Sequence, residues 1–363
     1  MTAEVILEAV SPGGSLQALV EQDGRVAYLY VFDPEAAEQK IKSCWVRNLQ
    51  PAPETLDVSA MREGQAPLLP RADCAHPGGA APLEAEKLRF VWFEEGHGVA
   101  LLEQESEDPL AILPPWSGHN GVSGYARDCL AAGPLAWPLE PDNALLPRVR
   151  AAEQFWTLWE RPDSVWKAFR APMIEAVERD IGKAEKYYAI DGGNWPPRAL
   201  LRIPVAGATA LVTVGVGIRP QPLVEIQVPD RPEQVRRVEF GFCLADGYDE
   251  EALGDVMRYL SAQAGYPWIR GTWLGEGHTF PCDSMPPNSA GPPFPAVLLT
   301  REPPQGPRVQ LPSYRGDPVA VLWFLPITET ERAFAVERGG KELLRRLEAA
   351  GHGWLHLDRA AVV

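Results

Sequence analysis

Val319-Ala-Val-Leu-Trp-Phe-Leu325 runs directly into Pro326-Ile-Thr-Glu-Thr-Glu331. The first stretch is a short continuous apolar run rich in β-branched and aromatic residues, which predicts a strand. In the second, Thr328 and Glu331 stand three apart in the pattern of a capping box, which predicts that a helix starts there. Gly339-Gly340 then break that helix before Leu343, Leu344 and Leu347. A strand feeding a terminal helix or broken pair of helices sets the second half of the chain as α+β.

Working outward, strands are predicted at residues 200–203, 210–218, 224–228, 237–244, 295–300 and 320–325. A helix over 250–263 buries Leu253, Val256, Met257 and Leu260 on one face. Two further apolar stripes at helical spacing precede this region. One comprises Leu145, Val149, Ala152, Phe155, Trp156 and Trp159. The other comprises Met173, Ile174, Val177, Ile181, Ala184 and Tyr188. The first 140 residues or so read mainly as β-structure. A hairpin pairs 16–20 with 26–32 across the Gln22-Asp23-Gly24 turn, and strands follow at 43–49, 88–93, 99–103 and 110–113. The turn Glu95-Gly96-His97-Gly98 joins two of them, and residues 50–82 read as a long loop rich in Pro, Ala and Gly.

The chain has 363 residues, 45% of them apolar and 23% charged, with 32 glycines and 37 prolines. These values fit a folded protein of about two domains with many short elements. The expected division is a β-rich domain over 1–143, a helical connector over 144–162 and an α+β domain over 163–363. No run approaches the ~18 apolar residues of a membrane helix. Met1-Thr2-Ala3-Glu4 lacks the basic-then-apolar start of a signal peptide. A water-soluble cytoplasmic protein with no membrane partner is expected.

Thirty-four basic residues against 49 acidic ones leave a net charge of −15. That surface repels phosphate backbones, so nucleic acid is excluded as a direct ligand, whereas a basic protein would be steered toward it. The five cysteines (Cys44, Cys74, Cys129, Cys243, Cys282) are scattered without a C-x-x-C, which fits reduced thiols rather than a disulfide framework or a zinc knuckle.

Enzyme signatures are missing. There is no phosphate-binding G-x-x-x-x-G-K-[ST], no H-E-x-x-H and no G-x-S-x-G; Gly121-Val-Ser-Gly124 puts the second glycine one place early. Gly215-Val-Gly217 lies in a strand-like run with no helix after it, so it is no dinucleotide fingerprint. His352 and His356, with Asp358 behind them, would face one way on a helix as zinc ligands do. Gly351 and Gly353 favour extended chain instead, so no metal or other cofactor is expected. His278 sits in a glycine-flanked loop, 271–280, with Glu276 and Asp283 nearby. A hydrolase or metal-dependent enzyme built on these residues is the alternative to a non-enzymatic reading. Aromatic side chains among glycines also suit partner contacts. On that ground Trp273, Glu276 and His278 in one loop, and Trp116, His119 and Tyr125 in another, are the candidate partner-binding residues.

Residues 163–363 resemble the Suppressor-of-fused-like domain family. The resemblance rests on segments in the family's order: Met257-Arg-Tyr-Leu-Ser-Ala-Gln-Ala264, the loop Gly271–Phe280 with its Gly-His, Leu298-Leu-Thr-Arg-Glu-Pro303, the strand Val319–Leu325 with Pro326–Glu331, Gly340-Lys-Glu-Leu-Leu344, and Trp354-Leu-His-Leu-Asp-Arg359. It implies a mixed sheet with flanking helices, preceded here by a smaller β-rich domain. It also implies a non-enzymatic module that grips an extended segment of another protein. Bacterial members of the family are taken to include immunity proteins that neutralise toxins, and a basic toxin domain would suit the acidic surface. The opening half lies outside the family's pattern and is similar to an extra domain of some bacterial relatives.

Overall fold

The structure is a computed structural model that describes residues 3–36, 40–282, 285, 288, 291–355 and 359–363. It divides into two units, Met1–Glu160 and Arg161–Val363.

The first unit is built on two sheets, one an antiparallel meander and the other antiparallel except for its last pair of strands. Strands β1 (Glu4–Val10), β2 (Gln17–Gln22), β3 (Val26–Phe32) and β4 (Lys42–Asn48) pair in sequence order. The hairpin β2–β3 turns where expected: Asp23 accepts the N–H groups of Arg25 (2.6 Å) and Val26 (2.8 Å) on one carboxylate oxygen, an Asx turn that fixes the register. A short helix α1 (Val58–Arg62), capped by Asp57, interrupts the long loop. The second sheet runs β5 (Leu88–Trp92), β6 (Val99–Glu103), β7 (Pro109–Leu113), β8 (Tyr125–Ala126) and β9 (Trp137–Pro138). The two sheets share one core that includes Val20, Leu29, Trp45, Leu101 and Leu113. Strand β1 has no counterpart in the sequence reading, because its apolar residues are only half covered. Helix α2 (Leu145–Trp159) buries the predicted stripe, with Leu145, Val149, Ala152, Phe155 and Trp159 inside. It belongs to this unit: the Trp156 indole donates to Trp92 O at 2.7 Å, and Glu153 pairs with Arg89 at 2.6 Å.

The second unit opens with helix α3 (Pro162–Asp180) and continues with β10 (Lys186–Ala189), β11 (Ala199–Val205), β12 (Ala208–Val214), α4 (Val224–Gln227) and β13 (Arg237–Ala245). Then come α5 (Glu250–Gln263), α6 (Tyr266–Ile269), β14 (Thr279–Pro281), β15 (Ala296–Thr300), β16 (Val319–Ile327), α7 (Glu329–Arg338) and α8 (Gly340–Ala349). Its seven strands form one mixed sheet in the order β10-β11-β12-β13-β16-β15-β14, with β13 and β16 parallel. The α+β expectation holds. Phe240, Phe242, Leu322 and Phe324 pack against α5 through Leu253, Val256, Tyr259 and Leu260. The capping box forms as read: the Thr328 side chain receives Glu331 N–H, and Glu331 receives Thr328 N–H.

Three local expectations are corrected. Residues 224–228 form a helical turn, not a strand; Val228 N–H bonds Val224 O at 2.8 Å, and the alternation Val-Glu-Ile-Gln-Val is too short for its period to settle the state. The helical stripe that included Ala184 and Tyr188 stops at Asp180, because Glu185 N–H reaches Arg202 O (2.9 Å) and draws the chain into the sheet as β10. Strand β12 ends at Val214 instead of 218, for a reason that lies in β13.

All nine residues of β13 are buried, two of them charged. The Glu239 carboxylate receives Thr213 Oγ1 (2.7 Å) and the N–H groups of Gly215 (2.8 Å), Val216 (3.2 Å) and Gly217 (3.0 Å). Gly215 supplies the φ of +113° that turns three successive amides toward it. Burial pushes the Glu239 pKa up while these four donors oppose it. Arg237 holds Asp317 (3.1 Å) and the carbonyls of Gly217 (3.2 Å) and Ile218 (2.5 Å), its guanidinium 5.1 Å from the Tyr314 ring centre.

At the other end of the chain, Arg359 forms a two-point ion pair with Glu331 (2.5 and 2.9 Å) inside the protein and donates to Pro326 O at 3.0 Å. Burial would raise the Glu331 pKa, but the Arg359 bonds and the N–H groups of Thr328 and Val362 outweigh it and hold the group below its ordinary value. His356 and Asp358 lie outside the described residues. All five cysteines are buried and free.

Replacing Glu239 with alanine strands four donors in a dry site and should cost about 3 kcal/mol of stability, read as a lower denaturation midpoint. Because the Glu331 pKa is depressed on folding, its contribution is present above 4.5 and is lost as pH falls through the folded value. The stability gap between the wild type and Glu331→Gln should therefore narrow between pH 6 and pH 3 in denaturation measured at each pH.

Candidate functional site: an open sheet edge and two aromatic loops

Strand β10 is the terminal strand of the seven-stranded sheet. Ile190 donates to Arg198 O (2.9 Å), and the register pairs Tyr188 with Leu200 and Lys186 with Arg202. Antiparallel pairs alternate in their bonding, so the N–H and C=O of Tyr187 and Ala189 point away from the sheet. The Tyr187 side chain is 41% exposed. Arg170 on α3 lies 5.8 Å from the Tyr187 ring centre and 5.8 Å from that of Trp166. An open main-chain edge beside a Trp–Arg–Tyr stack joins the two features of strand-addition sites, main-chain bonding and aromatic anchors. The sequence reading missed it, although Lys186-Tyr-Tyr188 is a short aromatic run in which a strand could have been sought.

The loop 273–278 lies at the opposite margin of the same sheet. Gly277 N–H bonds Leu299 O and Leu299 N–H bonds His278 O, both at 2.8 Å, so the loop continues the pairing of β14 with β15. Trp273 and His278 are half-buried, their rings edge-to-face at 4.5 Å. His278 Nδ1 accepts Gly275 N–H at 3.3 Å, and burial lowers its pKa below 6.5, which favours the neutral imidazole. Glu276 turns away from it, receiving Thr300 Oγ1 (2.8 Å) and Arg301 N–H (2.5 Å). A dyad of His278 with Glu276 is therefore not formed, and Asp283 lies outside the described residues. Gly275 is required by close approach: a Cβ there would sit 2.3 Å from the Trp273 ring.

The other loop belongs to the first unit. Trp116 is buried, with the Arg148 guanidinium 5.6 Å from its ring centre. His119 is exposed at a turn, its Nδ1 3.2 Å from Trp116 O. Tyr125 is half-buried on β8, edge-to-face with Trp137 at 6.1 Å. Ser117 Oγ donates to Ser123 O and closes the loop. Nearby, Lys42 donates to Pro115 O (2.5 Å), and burial lowers its pKa to about 8. Glu95 and His97, read only as a turn, are buried, and Glu95 pairs with Arg148 at 3.4 Å. Among the described residues no group of three or more His, Cys, Asp or Glu side chains is placed to hold a metal ion, and no helix is long and apolar enough to cross a membrane.

These features define an α+β domain with a mixed, open-edged sheet, preceded in the sequence by a β-rich unit. Residues 194–360 match the family model of Suppressor of fused protein (SUFU), and this part of the chain is a Suppressor-of-fused-like domain. Among solved structures the chain is similar to the Sufu-Fu complex crystal structure, with 15% identity over 54% of this chain and 91% of that chain, at a TM-score of 0.36. No curated protein is significantly similar to it.

Gly275→Ala should force the Trp273 ring out of its place over the loop. The expected readout is red-shifted tryptophan emission relative to the wild type with little change in far-ultraviolet circular dichroism.

Proposed function

We propose that this chain is a non-enzymatic protein-binding module that takes an extended segment of its partner onto the open edge of strand β10. The observation that carries the reading is that edge: the outward N–H and C=O groups of Tyr187 and Ala189 stand beside the half-exposed ring of Tyr187. A partner strand would bond the main chain there, and the Tyr187–Arg170–Trp166 stack would supply the side-chain anchor. Membership of residues 194–360 in the Suppressor-of-fused family supports a binding role. Trp273, Glu276 and His278 are proposed as further contacts at the opposite margin.

In its most concrete form the partner is a basic toxin domain and the chain is the cytoplasmic immunity protein that neutralises it. The net charge of −15 supports a basic partner, since opposite charge raises association rates.

A proline at position 187 removes one outward N–H and leaves the bonds from β10 to β11 intact, because edge strands accept proline on their open side. Immobilised Tyr187→Pro should lose the partner that the wild-type chain retains, with an unchanged melting temperature. Equal retention by both would overturn the edge reading. Co-expression with the captured protein tests the immunity form, which requires that growth be rescued by the wild type and not by the variant.

A further inference from the structure

In the first unit, the outer face of the β2–β3 hairpin borders a cavity of about 670 Å³, within the ~300–1,000 Å³ common for small-ligand sites. Its floor is a pair of tyrosines. Tyr28 and Tyr30 alternate with Ala27, Leu29 and Val31 on β3 and so share a face, Tyr28 buried and Tyr30 half-buried, their rings stacked at 5.8 Å and 26°. Glu21, directly opposite Tyr28 in the register, brings a carboxylate to the same face. The far wall is the 61–67 segment, pinned over the sheet by two long-range bonds: Tyr28 OH donates to Pro67 O (2.7 Å) and Arg25 Nη2 to Ala66 O (3.1 Å). Met61, 39% exposed, adds a thioether.

The charges in this cavity do not cancel. Arg25 and Asp23 neutralise each other through two side-chain bonds of 3.2 and 3.1 Å. Glu21 forms no ion pair or side-chain hydrogen bond, and neither does the Tyr30 hydroxyl form a hydrogen bond, among the described residues. One uncompensated carboxylate therefore stands beside the stacked aromatic pair. The field it makes is felt locally: burial first, then Glu21 and Asp23, push the Tyr30 pKa up to about 12.

We infer that this cavity is a binding site for an alkyl cation, a guanidinium or ammonium head on an apolar stem such as an arginine or lysine side chain carries. The head would pair with Glu21 and lie against the Tyr30 ring, since aromatic rings attract cations, while the stem packs on Met61. Nothing in this inference depends on the β10 edge, which belongs to the other unit.

The test is calorimetric titration of the full chain with N-acetyl-arginine amide, N-acetyl-lysine amide and the neutral N-acetyl-citrulline amide. Arginine or lysine amide should bind and citrulline amide should not. Glu21→Gln should weaken binding about three- to fivefold, the worth of one half-exposed charge pair, and Tyr30→Leu should weaken it comparably. A pentapeptide with a central arginine identifies the source. Tighter binding than the free amide points to a partner's side chain, and equal binding points to a small molecule. Equal affinity for arginine and citrulline amides, insensitivity to Glu21→Gln, or no heat with any cation would overturn the inference. Glu21→Gln changes no buried contact, so its result stands even if Tyr30→Leu fails to fold.

Discussion

The seven-stranded sheet depends on how strand β13 accommodates the two charges it buries. A carboxylate and a guanidinium on one face of a central strand would each cost several kcal/mol if left alone. The chain resolves this by folding other segments around them. Residues 215–217 leave the sheet to wrap three amides around Glu239, and the carbonyls of Gly217 and Ile218 turn to Arg237. Asp317, just before β16, completes the arginine's shell. The same two side chains thus end β12, place the turn after it, and bring the start of β16 beside the start of β13. Parallel pairing of β13 with β16 spans a long connection, and this charged clasp gives that pairing one register.

A second buried pair works in the same way at the end of the chain. Glu331 caps helix α7 and at the same time receives Arg359 and Val362 N–H. The capping box is thereby tied to the segment that follows α8, so a local helix-start signal becomes a long-range anchor. Arg359 also rests 5.0 Å from the Phe294 ring centre, ahead of β15. Charges of this kind contribute specificity of arrangement more than net stability, since their desolvation offsets most of their attraction.

Open edges are the counterpart of this closed interior. An unpaired strand edge invites association, and proteins blunt it with short strands and lysines. Strand β10 has four residues and begins with Lys186, yet it presents Tyr187 to solvent beside Arg170 and Trp166. The combination limits indiscriminate pairing and leaves room for one that also satisfies the aromatic anchor. The tyrosine-floored cavity of the first unit has a different character, because its recognition groups are side chains on a sheet face and not main-chain bonds at an edge.

What could be read in the chain of letters was whatever depends on neighbours a few positions away. The stripe of α2, the face of α5, the Thr328–Glu331 cap, the Gly339-Gly340 break and strands β2 to β7 declare themselves through spacing, because burial on one face imposes a period on nearby residues. The family likeness of the second half was legible for the same reason, as ordered local segments. Only the tertiary structure decided that 224–227 coils, that Tyr188 lies in a strand, that Glu276 serves Thr300 and Arg301 rather than His278, and that Pro67 and Ala66 are held by Tyr28 and Arg25. Apart from the short turn at 224–227, each of these outcomes depends on a partner well separated in sequence or on an exposed edge, and neither separation nor exposure leaves a periodic mark on composition.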